Sequence, residues 1–219
     1  MKKIISFCIV VACSFISSSN AHIQHHNKLN LIQFDIFRED SKVGYHHIVF
    51  TRNKGEITVQ NEISFDIKKL GISFYQYKSK GTEIYAEDGS LLSFISKTSD
   101  NGTIKSCNIN RQGKSYIING TQYKGTFNKD FLISSYWNHE ILKKNIQISG
   151  ISCQIRDQQV SFVKNETIAV NGTKTETSVF DIQGKDLNTQ VWYRKSDMAI
   201  VKQILHKKGV WRYEIQELK

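Results

Sequence analysis

From Glu56 to Ile67 the chain alternates. Ile57, Val59, Ile63, Phe65 and Ile67 fall on one side, interrupted only by Asn61, while Glu56, Thr58, Gln60, Glu62, Ser64 and Asp66 fall on the other. A period of two kept over this length marks a β-strand with one dry face and one wet face. Ile32, Phe34 and Ile36 repeat the pattern, as do Ile72 and Phe74 leading into Tyr75 and Tyr77. Three shorter runs, Gln190 to Arg194, Ala199 to His206 and Val210 to Leu218, close the chain in the same way. Turn dipeptides punctuate these runs at Asp88-Gly89, Asn101-Gly102, Asn119-Gly120 and Asn171-Gly172. Asn-Gly and Asp-Gly tolerate the positive φ angles of tight hairpins, so sequence-adjacent strands should form an antiparallel meander.

One stretch departs from this pattern. Asn128 to Lys144 lacks glycine and spaces Phe131, Ile133, Trp137, Ile141 and Leu142 near a helical period, which predicts one short helix or helical turn. The expected fold is therefore mainly all-β, a curved antiparallel meander sheet or half-barrel with one short helical segment. A sandwich of two sheets is the alternative. A sheet of ten or more strands curls or splits, and one short helix cannot cover a flat one. We expect the curled sheet to enclose an apolar cavity, with Trp137 on the covering segment lining its opening.

Composition fits a folded domain. Hydrophobic residues make up 39% and charged residues 23%, with 12 Phe, 9 Tyr and 3 Trp to build a core. The chain has no proline, which excludes collagen-like and Pro-rich architectures. Its first residues read differently from the rest. Lys2 and Lys3 precede an apolar run from Ile4 to Ile16, and Ser19-Asn20-Ala21 supplies small residues. This is the pattern of a secretory signal peptide over residues 1–21, leaving one antiparallel β domain over 22–219. Val10-Val11-Ala12-Cys13 resembles a lipobox and offers lipidation of Cys13 as the competing reading. Phe15 and Ile16, which resume the apolar run past Cys13, favour simple cleavage.

Without the leader, 28 basic and 20 acidic side chains remain, a net charge of +8. That excess suits an anionic membrane surface or an envelope protein, although dispersed lysines that merely keep the chain in solution account for it more simply. The basic doublets Lys68-Lys69, Lys143-Lys144 and Lys207-Lys208 are scattered, and no nucleic-acid-binding motif accompanies them, so no nucleic acid is expected. Export also permits a disulfide between the two remaining cysteines, Cys107 and Cys153, which match no zinc spacing. Such a bridge would contribute about 4 kcal/mol on a chain-entropy model. Two separate buried thiols are the alternative.

Several short segments carry a family resemblance. They are Val43-Gly44-Tyr45-His46, Phe74-Tyr75-Gln76-Tyr77, Thr82-Glu83-Ile84-Tyr85, Thr98-Ser99-Asp100-Asn101-Gly102, Ser135-Tyr136-Trp137-Asn138 and Val191-Trp192-Tyr193. In this order they resemble the exported proteobacterial family known as domain of unknown function 6134. Tyr85 departs mildly from a pattern that usually carries Trp there. The resemblance implies an antiparallel sheet similar to the half-barrel of bacterial lipoprotein carriers, and it implies no particular reaction.

The candidate sites follow from residue chemistry. Tyr136, Trp137, Trp192, Tyr193, Trp211 and Tyr213 combine apolar bodies with polar edges suited to a cavity mouth or a membrane interface, with ordinary core packing as the alternative. Tyr77, Glu83, Tyr85, Trp137, Trp192 and Tyr193 are the expected ligand-binding set. Glu83 and Asp100 are the acids within the family-like segments, and they could do acid–base work if they lay within about 5 to 10 Å of each other. Turn chemistry accounts for Asp100 more simply, and an ion pair with a neighbouring lysine accounts for Glu83. His46 and His47 are adjacent in a strand and so point to opposite faces. His22, His25 and His26 read as a polar leader rather than a copper site. Asn101, Asn119, Asn165 and Asn171 match the glycosylation pattern, but hairpin turns explain three of them. Neither a metal nor another cofactor is expected, and no signature of a hydrolase or nucleotide-binding enzyme is present.

Three classes of function follow. The first is a periplasmic or secreted carrier for an apolar or lipid-like small molecule. The second is a cell-envelope structural or assembly factor. The third is a hydrolase-type enzyme using Glu83 and Asp100. The intact mass of exported protein should correspond to a chain beginning at His22, and a lipid-modified species beginning at Cys13 would contradict this reading.

Overall fold

The computed structural model describes residues 29–219. The expected leader, Cys13 and His22, His25 and His26 lie outside these residues. Eight strands come first: β1 (Leu31–Arg38), β2 (Ser41–Asn53), β3 (Glu56–Lys69), β4 (Ile72–Ala86), β5 (Leu91–Asp100), β6 (Thr103–Gln112), β7 (Ser115–Gly120) and β8 (Lys124–Phe127). A linking segment then carries β9 (Leu132–Ile133), a 3-10 helix (His139–Lys143), β10 (Ile146–Ile148) and β11 (Ile155–Asp157). The chain ends with β12 (Gln159–Val170), β13 (Thr173–Gly184), β14 (Leu187–Arg194), β15 (Ile200–His206) and β16 (Val210–Leu218).

Thirteen of these strands form one open antiparallel sheet. Its order is β12-β13-β14-β15-β16-β1-β2-β3-β4-β5-β6-β7-β8. Every neighbour is adjacent in sequence except β16 and β1, whose pairing runs from Ile32 opposite Leu218 to Arg38 opposite Trp211. The meander expected from the turn dipeptides is therefore present, with the first and last described strands paired next to its central strand β2. The linking segment joins the two free edges, β8 and β12.

That connection explains the curvature. β4 and β14 lie six strands apart, about 29 Å in a flat sheet. Yet Trp137 Nε1 donates to Glu83 on β4, while Tyr193 Oη on β14 donates to the carbonyl of Tyr136 at 2.8 Å. Two adjacent residues can reach both strands only if the sheet curls around them. Phe50, Tyr85, Ile109, Trp137, Ile148, Val179 and Tyr193 belong to a single buried cluster.

The linking segment is a plug. Its helical spacing yields only a five-residue 3-10 helix, because Asn138 caps it at once and the residues before it pair as β9. Cys107 on β6 is disulfide-bonded to Cys153 in the plug. From Val191 to Tyr193 strand β14 is buried on both faces, because the β12–β13 hairpin folds back over it. The hairpin's tip residue Asn171 donates from Nδ2 to the carbonyl of Gln216 on β16 at 2.8 Å, three strands away from β13.

Three of the four turn dipeptides behave as expected. Asn101-Gly102 and Asn171-Gly172 have φ of 48° and 83°, and 48° and 78°, the positive pairs a two-residue hairpin turn requires. Asp88-Gly89 also sits in a turn, where Gly89 has φ 82°. Asn119-Gly120 does not. Both residues lie in β7, paired with Asn108 and Cys107 on β6. A Cβ on Gly120 would stand 2.3 Å from Cys153 Cβ and 2.7 Å from its Sγ, so the missing side chain makes room for the disulfide. Gly120→Ala should therefore cost about 1–3 kcal/mol by overpacking. Urea unfolding of the oxidised protein measures this, and a loss within error of zero would contradict the packing argument.

Candidate functional site

Glu83 is fully buried on the inner face of β4. The alternation that puts Tyr77, Glu83 and Tyr85 on one face aims this acid at the plug. Its carboxylate accepts hydrogen bonds from Tyr85 Oη at 2.5 Å, from Asn61 Nδ2 at 2.9 Å, and from Trp137 Nε1 at 3.3 Å to each oxygen. Burial raises its pKa, and hydrogen bonds from Tyr85, Trp137, Ser135 and Asn61 act against that rise.

Asn61 extends the network outward along the sheet. Its Oδ1 lies 3.3 Å from His46 Nε2 on β2. Burial lowers the His46 pKa to about 4, with the Asn61 contact opposing the shift, so the ring is neutral near pH 7. Because Oδ1 is an acceptor, the neutral ring donates to it through Nε2. The resulting chain runs His46 to Asn61 to Glu83, and each donor points toward the carboxylate. Phe34 and Tyr213 flank the imidazole at 5.8 and 6.2 Å between ring centroids. His47, by contrast, stacks on Tyr45 at 4.3 Å, on the opposite face as expected.

The plug side of the site is equally specified. Tyr136 holds φ at 57°, an uncommon angle for an aromatic residue, which turns the chain so that Trp137 enters the core. Its hydroxyl donates to Gln147 Oε1 at 3.1 Å, and its carbonyl receives Tyr193. The Trp137 indole meets Phe50 and Tyr85 edge-on, at 5.1 and 5.7 Å. Asn138 Oδ1 accepts from the backbone of Glu140 at 3.0 Å and so begins the 3-10 helix.

Of the expected ligand-binding residues, Glu83, Tyr85, Trp137 and Tyr193 come together here. Two do not join them. Trp192 faces away, bonded through Nε1 to Glu166 beneath the folded-back β12–β13 hairpin, with Lys202 4.9 Å from its ring. Tyr77 lies further along β4, stacked on Phe65 at 4.8 Å. The expected opening under Trp137 is corrected as well: the indole has no exposure, because its own segment fills the concave side of the sheet.

Glu83 and Asp100 are also separated. Glu83 pairs with Phe94 on β5, six residues from Asp100, about 20 Å at the rise of a strand. Burial raises the Asp100 pKa, but hydrogen bonds from Lys105 at 2.5 Å and from Tyr75 outweigh it and hold the pKa low. The two acids thus have opposite environments and do not form a catalytic pair in this arrangement.

Asn61 is the participant that sequence reading missed. Its signal was present, as the one polar residue breaking the apolar side of the clearest strand. Residues 34–216 match the family model described as Domain of unknown function (DUF6134). No curated protein matches the chain.

The His46 pKa gives a pH prediction. A folded pKa of about 4 against 6.5 in the unfolded chain means the unfolded state binds more protons between those values. Its contribution is present above pH 6.5 and is lost as pH falls toward 4. Replacing His46 with Gln should therefore shrink the stability gap between wild type and variant by about 2–3 kcal/mol between pH 7 and pH 4.5. Urea unfolding at the two pH values measures this, and an unchanged gap would place His46 in contact with solvent.

Proposed function

The chain belongs to the DUF6134 family, and from its geometry we propose that it works by docking rather than catalysis, as a structural or assembly factor of the cell envelope. One observation carries this reading. The concave side of the sheet, where a carrier of this shape would hold its ligand, is occupied by the chain's own plug, with Trp137 fully buried and hydrogen-bonded to Glu83. The Cys107–Cys153 bridge ties the plug to β6 and favours an oxidising, exported location. A filled interior leaves the edges β8 and β12 and the turn tips as the surfaces available to a partner.

The carrier reading stands second. Its favouring observation is that the plug holds its place mainly with irregular backbone, its strands being only two or three residues long. A lipid-like ligand could enter only by displacing it. The enzyme reading falls behind both, because Glu83 spends its oxygens on Tyr85, Asn61 and Trp137.

Native mass spectrometry of protein isolated from its own cells tests the order of these readings. Docking predicts a complex with another envelope component and no small molecule retained by the isolated chain. A lipid retained at one per chain would overturn docking in favour of the carrier. That result would also require reduction of Cys107–Cys153 to change the bound fraction.

A further inference from the structure

The β3–β4 hairpin extends beyond the sheet. Pairing between β3 and β2 ends at Phe65, opposite Gly44, and pairing between β4 and β5 ends at Tyr77, opposite Asp100. Past those points, Ile67–Lys69 and Ile72–Tyr75 pair only with each other. Leu70 in the turn lies five residues beyond Phe65, so the ribbon projects about 16 Å. A two-stranded ribbon alone is marginal in water, yet this one has a firm base. Phe65 stacks on Tyr75 and Tyr77 at 5.9 and 4.8 Å, Trp211 packs on Phe65 at 4.8 Å, and Tyr75 Oη donates to Asp100.

The tip of this stalk is apolar. Leu70 is 95% exposed, Phe74 77% and Ile72 74%, the three most exposed large hydrophobic side chains among the described residues. Three such side chains within five residues of a projecting tip form a concentrated patch. Exposed Lys68 and Lys69 flank it. Lys68 lies 3.8 Å from Asp66, which itself accepts from Ser73 at 2.8 Å.

Further lysines stand at the same end of the sheet, alongside the exposed acids Glu39 and Asp40 of the β1–β2 turn. β4 begins there and β5 ends there, so the Asn101-Gly102 turn is adjacent, with Asn101 donating its backbone N–H to the carbonyl of Gln76 at 2.8 Å. Lys207 in the β15–β16 turn has its pKa lowered, first by desolvation and then by the charges of Arg156, Lys105 and Lys208, with Asp100 acting the other way. Asp100, which accepts from Tyr75 at the base of the stalk, is thus bonded to Lys105 at 2.5 Å and feels the charge of Lys207.

We propose that this hairpin tip is a membrane anchor, in which Leu70, Ile72 and Phe74 enter the interface of a bilayer whose anionic headgroups are met by Lys68, Lys69 and the lysines at the same end of the sheet. Apolar side chains flanked by lysines match both layers of such a surface, the acyl boundary and the charged headgroups. The inference deepens the docking reading by naming an anionic bilayer as the partner, and it needs no change in the filled interior.

Vesicle flotation tests it with three kinds of protein. Wild type should float with equimolar phosphatidylglycerol and phosphatidylcholine, and much less with phosphatidylcholine alone. The combined variant Leu70→Ser, Ile72→Ser and Phe74→Ser should lose about tenfold or more in vesicle affinity, from removal of the apolar contribution. Lys68→Gln with Lys69→Gln should lose several-fold, and added salt should weaken wild-type binding. Ile95→Ser with Ile117→Ser, exposed isoleucines away from the tip, should bind as wild type. Should the triple variant fail to fold, Phe74→Ser alone takes its place.

Absence of wild-type flotation with anionic vesicles, or a triple variant that floats like wild type, would overturn the anchor. So would a photo-crosslinking residue at position 74 that captures a protein in cells, although that outcome preserves the docking reading. A lipid retained inside the isolated chain strikes at docking instead, and leaves the tip result to be judged on its own.

Discussion

Glu83 has no contact with solvent, and a carboxylate in that position is tolerable only while its oxygens are satisfied. Its donors come from three parts of the chain: Asn61 on β3, Tyr85 on β4 and Trp137 in the plug. Removing the plug would strip the indole donor and expose the inner faces of the central strands. The same step would leave Tyr193 without its acceptor at Tyr136. The arrangement therefore makes the plug and the curvature of the sheet interdependent. The sheet curls because β4 and β14 both hold the plug, and the plug keeps its place because the curled sheet supplies partners on two sides. The disulfide adds a covalent tie from β6.

An open sheet of this size normally has two problems, an uncovered apolar face and two free edges. Here one segment addresses the first by running from edge to edge across the concave side. The β12–β13 hairpin covers part of the outer face, which is why Trp192 and Tyr193 can be adjacent and both buried. The edges themselves, and the projecting β3–β4 ribbon, remain as surfaces with unsatisfied demands. In that respect interior and exterior differ: the interior is committed to holding the fold, and the docking proposal rests on the exterior.

Much of the fold was legible because strands announce themselves locally. The alternation from Glu56 onward and the Asn-Gly turns at 101 and 171 specify pairing between sequence neighbours, and the structure has those pairs. The family-like segments were legible as fragments, and several prove to be pieces of one site. His46, Glu83 with Tyr85, Trp137 with its neighbours, and Tyr193 meet there although they are dispersed over much of the chain. What could not be read was their meeting, because it depends on curvature and on a segment with little regular structure. Trp137 looked suited to the mouth of a cavity, since an aromatic with a polar edge fits either a mouth or a buried acceptor. Only the position of Glu83 decides between them. Asn119-Gly120 misled for a related reason: glycine there serves a close contact with Cys153, which local sequence does not reveal.

The central claim is that the plug is a permanent part of the core and not a lid. Amide hydrogen exchange of the oxidised protein reads this most directly, because it reports opening segment by segment. The informative amides are those held by backbone hydrogen bonds within the plug, such as Ser134 to Ile148, Ser149 to Gln154 and Cys153 to Ser149. The account predicts that they exchange as slowly as the central strands β1 and β2. Rapid exchange across the plug, with the central strands still protected, would show a segment that opens on its own and would contradict the account.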